Sequence, residues 1–203
     1  MTIDFHRSGQ GASLLMLHGL DQDRHVWDGL AGLSDRFECI GCDLPMLDGI
    51  DALSKALAAA LRHDGIERTH IVGHDLGGMV AQHLAASEPG LVDRLILCAT
   101  TPTFNDDDQA LWRQRATEAG ASDAFARGCR TMATADLIDL AGEIYAPTLV
   151  LVGENDTLAY REAADWLAQS IGGAKLASVP NASHAIPLDQ PRFLAHVLGV
   201  FLG

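Results

Sequence analysis

The chain has 203 residues, 48% apolar and 20% charged, with 14 Lys plus Arg against 27 Asp plus Glu and a formal net charge of −13. Such a length carries one domain with a sizeable core, here expected over residues 1–203, and the acidic balance argues against phosphate backbones or anionic membranes as partners. No apolar run approaches the roughly 18 residues that span a bilayer, and no basic-then-apolar leader precedes a cleavage site.

In chain order, "TIDFHR", "SLLMLHG" and "FECIGCDL" read as strands. "DALSKALAAALRHDG" is helical by its apolar spacing, "THIVGH" is a strand and "GMVAQHLAASEP" a helix. "RLILCAT", "PTLVLVG" and "AKLASVP" are further strands, and "REAADWLAQSIGG" and "PRFLAHVLGVFLG" further helices. The middle strands are apolar almost throughout, which implies burial on both faces. Strand and helix in alternation predict an α/β fold with a doubly wound, mostly parallel sheet. The segment 102–145 breaks the alternation. It holds an acidic run, Asp106 to Asp108, suited to the positive end of a helix, then two helical patterns. Inserted at the carboxyl ends of the strands, it is expected to form a short helical lid over the ligand side of the sheet.

Four cysteines are present, Cys39, Cys42, Cys98 and Cys129. Cys39 and Cys42 are three apart along a predicted strand, so they point to opposite faces and share neither a metal nor an easy disulfide. Buried thiols in a reducing compartment, by default the cytoplasm, are the expectation. Without a clustered Cys/His set or a Gly-x-Gly-x-x-Gly turn, no metal or organic cofactor is implied.

The chemistry concentrates in "THIVGHDLGGMVAQHLA". Gly73-His74-Asp75-Leu76-Gly77-Gly78 follows a strand and opens a helix, the setting of a nucleophile elbow. Its glycines permit a tight turn that projects the apex side chain into the cleft. His18-Gly19 ends the strand "SLLMLHG", so the Leu20 N–H can face the elbow and, with the Leu76 N–H, form an oxyanion hole. Asp156 ends "PTLVLVGEND", where a carboxylate would orient a histidine; Glu154 is its rival. "VPNASHAIPLDQP" then supplies His184, so nucleophile, acid and histidine follow in the order this architecture uses. Asp21 is either a cleft residue or a solvated loop acid, and Trp112 either lid core or substrate wall. His18 is expected to shape the loop, His74 and His83 to pack or face solvent, and Trp27 to pack.

With "MLHG", Trp27, "CDLP", the elbow, "RLILC", "APTLVLVGEND" and "ASHAIPLDQP", the sequence resembles the α/β-hydrolase fold superfamily over nearly its whole length. The departure is Asp75, where most such elbows hold serine. "GHDLGG" resembles the elbows of haloalkane dehalogenases, fluoroacetate dehalogenases and epoxide hydrolases, whereas the surroundings resemble serine enzymes of the enol-lactonase and small-ester type. The ancillary groups of the first set are missing from their usual positions. Leu76 stands where a halide-binding Trp would, Leu76 and Met79 where arginines would, and Tyr145 and Tyr160 fall outside the lid core.

An aspartate of ordinary pKa near 3.9 is already ionised and needs no base to attack. On an acyl carbon it would form an anhydride; on a saturated carbon bearing a halide or epoxide oxygen it would form an alkyl ester, which water activated by His184 could hydrolyse. Three readings follow for a small-molecule substrate: a hydrolase using Asp75 covalently, an ester or lactone hydrolase scaffold whose serine has been replaced, and a binding protein without turnover.

Overall fold

The computed structural model describes residues 3–118 and 123–203. Among these residues, seven strands form one sheet, ordered β1-β3-β2-β4-β5-β6-β7. They are β1 (His6–Ser8), β2 (Ala12–Leu17), β3 (Phe37–Gly41), β4 (Thr69–His74), β5 (Val92–Cys98), β6 (Thr148–Gly153) and β7 (Lys175–Val179). Only β1 runs antiparallel, against β3; the other pairs are parallel. Thr2, the first residue of the predicted opening strand, lies outside the described residues, as do 119, 120 and 122 of the two predicted lid helices.

The central strands are apolar on both sides because each side meets a different layer. On β2, Leu15 and Leu17 belong to one core cluster and Leu14 and Met16 to the other. The same alternation recurs on β5, with Leu95 and Leu97 in one cluster and Ile96 and Cys98 in the other. The first cluster is closed by α1 (Ile50–His63), α2 (Leu76–Ser87) and α5 (Leu158–Ser170); the second by α7 (Pro191–Leu202) and a run of 3₁₀ turns, Arg24–Asp35. Those turns were not foreseen. Their buried Val26, Trp27, Leu30 and Leu33 provide the apolar face that covers β2 and β3. Cys39 and Cys42 fall in opposite clusters, as the strand geometry demands, and all four cysteines are free and buried.

Between β5 and β6 lie α3 (Asp106–Thr117), α4 (Asp123–Thr134) and the 3₁₀ segment Ile138–Glu143. Asn105 caps α3 by accepting the Asp108 N–H at 2.9 Å, and Asp106 to Asp108 occupy its first turn, where the helix dipole favours them. Helix α3 buries no residue. Helix α4 is tied down: the Arg127 Nε donates to the Met46 carbonyl at 2.7 Å and the Thr131 hydroxyl to that of Leu47 at 2.9 Å. No helix among the described residues is long and apolar enough to cross a membrane.

A tight constraint beside the elbow, at the sheet's carboxyl edge, is Gly77. A Cβ there would stand 2.5 Å from the His18 carbonyl oxygen and closer still to that of Leu17. Both are backbone atoms at the end of a central strand, so neither can yield cheaply. Gly77→Ala is therefore expected to cost about 2 kcal/mol or more, the upper part of the overpacking range, read as a lowered midpoint in urea unfolding with an unchanged slope.

Candidate active site

Strand β4 delivers Asp75 into a turn at φ 49°, ψ −117°, a left-handed conformation that costs a non-glycine residue energy. Four backbone-directed bonds hold it there. The Asp75 N–H donates to the Cys98 carbonyl at 3.1 Å, and the Asp75 carbonyl accepts from Gly78 at 3.0 Å, Met79 at 3.1 Å and the Thr100 hydroxyl at 2.7 Å. Gly73 and Gly77 are needed for the close approach of strand, turn and helix.

The carboxylate is divided between two surroundings. Its Oδ2 accepts the Leu20 N–H at 3.0 Å. Its Oδ1 accepts the Tyr160 hydroxyl at 3.2 Å and faces His184 Nε2 at 3.7 Å. The apex side chain is thus engaged on both oxygens and 8% exposed, rather than projecting alone. The Leu76 N–H, the other expected donor to this point, makes no hydrogen bond to the carboxylate among the described residues.

His184 follows β7 in a loop shaped by Asp189, which accepts the Ser183 N–H and hydroxyl at 2.7 and 2.6 Å. Its Nδ1 meets Asp156 Oδ2 at 3.2 Å. Asp156 keeps that oxygen free because its Oδ1 accepts the Thr157 N–H at 2.7 Å. Glu154 is turned away and accepts the Asn181 N–H at 3.0 Å. The acid and histidine loops are tied directly, the Asn155 N–H donating to the Ala182 carbonyl at 2.8 Å.

Burial opposes charge on His184, but the carboxylates of Asp156 and Asp75 outweigh it and lift its pKa to about 9. Burial likewise disfavours the Asp75 carboxylate. The charge of His184, 3.7 Å away, together with His74 and the Leu20 N–H, outweighs that and holds its pKa below the usual carboxylate value. The resting state is an imidazolium between two carboxylates. Burial and the Asp75 charge push the Tyr160 hydroxyl far up, so it stays a proton donor.

These groups open on a cavity of about 520 Å³ that Asp21 and Trp112 also line, with Leu20, Arg115 and Phe125. Asp21 is exposed at the cavity wall, in a left-handed conformation at φ 60°. Trp112 is half-buried and packs edge-on to Phe104 at 5.9 Å. His18 shapes the loop between them, its Nδ1 on the Gly19 carbonyl at 2.7 Å and its Nε2 accepting the Leu44 N–H at 2.9 Å. Among the described residues, no group of three or more His, Cys, Asp or Glu could hold a metal ion. Tyr160 corrects the sequence reading. It lies outside the lid segment, yet its ring packs on His184 with centroids 4.2 Å apart and its hydroxyl reaches the elbow. Its position four residues after Asp156, at the start of a helix, was the available signal. His74 is corrected too: it is hydrogen-bonded into the site rather than simply packed.

Residues 12–123 match the family described as alpha/beta hydrolase fold. The chain belongs to that family. A pimeloyl-[acyl-carrier protein] methyl ester esterase of Chromobacterium violaceum is 31% identical, covering 96% of this chain and 95% of the relative. The enzyme of the same name from Nitrosomonas europaea is 28% identical over 94% and 95%. The enol-lactonase from Burkholderia xenovorans superposes with a TM-score of 0.90 at 20% identity, covering 98% of this chain and 96% of that one. The protein is an α/β-fold hydrolase.

The His184 pKa governs the resting charge state. Lying above the ordinary 6.5, it contributes stability that is full below about pH 6.5 and is lost as the pH rises through about 9. Asp75→Asn removes one of the two carboxylates that raise it. The His184 imidazole, followed by NMR, is expected to titrate near 9 in the native chain and about one unit or more lower in Asp75→Asn, with a correspondingly weaker loss of thermal stability between pH 6.5 and 9.

Proposed function

We propose that this hydrolase cleaves a small organic substrate through an alkyl ester on Asp75, with His184 and Asp156 activating the water that releases it. The observation that carries the reading is the division of the carboxylate. Oδ2 already occupies the Leu20 N–H, the place an acyl substrate's carbonyl oxygen would need, while Oδ1 faces the cavity. A site so filled is poorly suited to polarising a substrate carbonyl and well suited to a nucleophile whose own second oxygen later carries charge.

In the first step Oδ1 attacks a saturated carbon, forming a C–O bond as the bond to halide or epoxide oxygen breaks and takes its electron pair. A halide leaves without a proton. An alkoxide takes one, and the Tyr160 hydroxyl is the donor nearest Oδ1. Esterification removes the Asp75 charge, so one of the two groups that hold the His184 proton is gone and the imidazole releases it, to solvent after halide loss or to restore the Tyr160 hydroxyl after epoxide opening. Neutral His184 then deprotonates a water that attacks Cγ, and negative charge develops on Oδ2, against the Leu20 N–H. Collapse breaks the Cγ–Oδ1 bond, so the alkyl oxygen leaves as an alcohol with the proton from His184, and the proton left on the water-derived oxygen passes to His184, restoring the carboxylate and the imidazolium. Leu76 is assigned as the second donor of this hole once the carboxylate pivots, Asp21 and Trp112 as walls of the substrate cavity, and α3 and α4 as its lid. Ester cleavage, for which the relatives are named, is here performed on the enzyme's own ester.

Those relatives favour a second reading, a carboxylic ester hydrolase scaffold whose serine has been replaced. The two separate cleanly. Treated with 1-bromobutane and with 1,2-epoxyhexane, His184→Gln is expected to retain one alkyl group on the peptide containing Asp75, seen by intact and peptide mass, while the native chain turns over. The native chain should hydrolyse 4-nitrophenyl acetate no faster than Asp75→Asn. Absence of any adduct with both probes, together with a gain of about a hundredfold or more in ester hydrolysis in Asp75→Ser, would overturn the covalent reading in favour of the replaced serine.

A further inference from the structure

His74 is a buried titratable residue, 1% exposed, that the proposed reaction does not use. It is the last residue of β4, next to Asp75, and its ring reaches sideways into two loops. Its Nε2 lies 2.9 Å from the His184 carbonyl oxygen, so that nitrogen carries the proton and donates. Its Nδ1, without a proton in that tautomer, is in packing contact 3.1 Å from the Gln22 side-chain oxygen, which accepts the Gly19 N–H at 2.9 Å. Burial lowers the His74 pKa, with the Asp75 charge opposing.

The contacts differ in what they connect. The His184 loop is joined to the acid loop through Asn155 and Ala182 and internally through the Ile186 N–H on the His184 carbonyl. Neither bond fixes the loop relative to the nucleophile. Among the described residues, the His74 bond is the only hydrogen bond from β4 to the His184 loop. On its other side His74 touches Gln22, the residue that anchors the Gly19-Leu20 backbone. Gly19 is packed closely enough that a Cβ would stand 2.9 Å from His74 Nδ1 and 3.0 Å from the Asp75 Cβ. One ring therefore spans the three segments that bring the Leu20 N–H, the Asp75 carboxylate and the His184 imidazole together.

We propose that His74 is a positioning residue: it sets the gap between the Asp75 carboxylate and the His184 imidazole, and keeps the Leu20 N–H in register with both. The inference rests on the reading of Asp75 and His184 as the reacting pair, but its first readout needs no substrate. The His184 ring is held charged by its distances to two carboxylates. A loop released from β4 lengthens the one to Asp75, the contact already at 3.7 Å.

The test uses His74→Leu, which removes the donor, and His74→Gln, whose amide can still donate to the His184 carbonyl. In His74→Leu the His184 NMR titration midpoint is expected about one unit lower than in the native chain. Hydrolysis of the alkyl-enzyme is expected to slow about tenfold or more, with its formation changed less than about threefold. His74→Gln is expected to restore both. A folded His74→Leu with the native midpoint and native alkyl-enzyme hydrolysis overturns the proposal. Should His74→Leu fail to fold, His74→Met against His74→Gln carries the same contrast, with the midpoint lowered in the first only; equal midpoints in both overturn it. If His184→Gln traps no alkyl group with either probe, the reading of Asp75 falls while the midpoint result still decides the role of His74.

Discussion

The packing of the first turn of α2 against the end of β2 is the constraint on which the rest of the site depends. The two backbones meet at Gly77, beneath the carbonyls of Leu17 and His18, at a separation that leaves no room for a side chain. That contact fixes where β4 must turn, and so forces Asp75 into a left-handed conformation at φ 49°. It also brings the loop after β2 beside the elbow, so that the Leu20 N–H faces the apex side chain rather than solvent. The strain at residue 75 is offset by the Cys98, Gly78, Met79 and Thr100 bonds around its backbone, each drawn from an element already fixed by core packing. The geometry is thus inherited from the sheet and does not depend on which side chain occupies the apex.

The apex side chain does set the charge. With a hydroxyl at residue 75, His184 would face one carboxylate; with Asp75 it faces two, and the balance against burial shifts far enough to hold the proton to about pH 9. An imidazolium is no general base, so a resting site of this kind cannot begin by activating a hydroxyl or a water near neutral pH. It can begin with the carboxylate itself, which is ionised and needs no assistance. In the proposed reaction, covalent attack removes the Asp75 charge that helps hold the proton on His184. The proposed order of the two steps then follows from electrostatics.

Much of this was legible in the sequence because the fold writes itself in patterns longer than one residue. Six of the seven strands fell where apolar runs stood between turn residues, while β1, expected over residues 2–7, is the exposed polar segment His6–Ser8; the elbow, Asp156 and His184 were marked by their places after β4, β6 and β7. The choice of Asp156 over Glu154 needed coordinates, since both stand in the same turn and only backbone direction separates them. The 3₁₀ run Arg24–Asp35 was missed although its buried Val26, Leu30 and Leu33 stand at helical spacing, because Gly29 and Gly32 within it weaken any helical reading; sheet coverage, a tertiary demand, selects its form. Tyr160 and the contacts of His74 were missed for a related reason. A tyrosine in the first turn of a helix and a histidine at the end of a strand are common, and nothing local to either records that β4, α5 and the His184 loop converge on one point.

The convergence has a chemical consequence that joins the elbow to the esterases this chain resembles. An ester has one carbonyl oxygen that gains charge when water attacks, and the hydrolytic step requires a donor at that oxygen and a base on the water. Whether the ester belongs to a substrate or to the enzyme, the relation among the three groups is the same: donor on one side of the carbonyl carbon, base on the other, a carboxylate behind the base. Here the Leu20 N–H, His184 and Asp156 stand in that relation to Cγ of Asp75 itself. In the proposed reaction a single exchange at the apex therefore moves the electrophilic carbon from the substrate into the protein while leaving the ester-cleaving apparatus in place. What it gives up is the room at the Leu20 N–H for an incoming carbonyl, and what it gains is a nucleophile that is charged before any proton has moved.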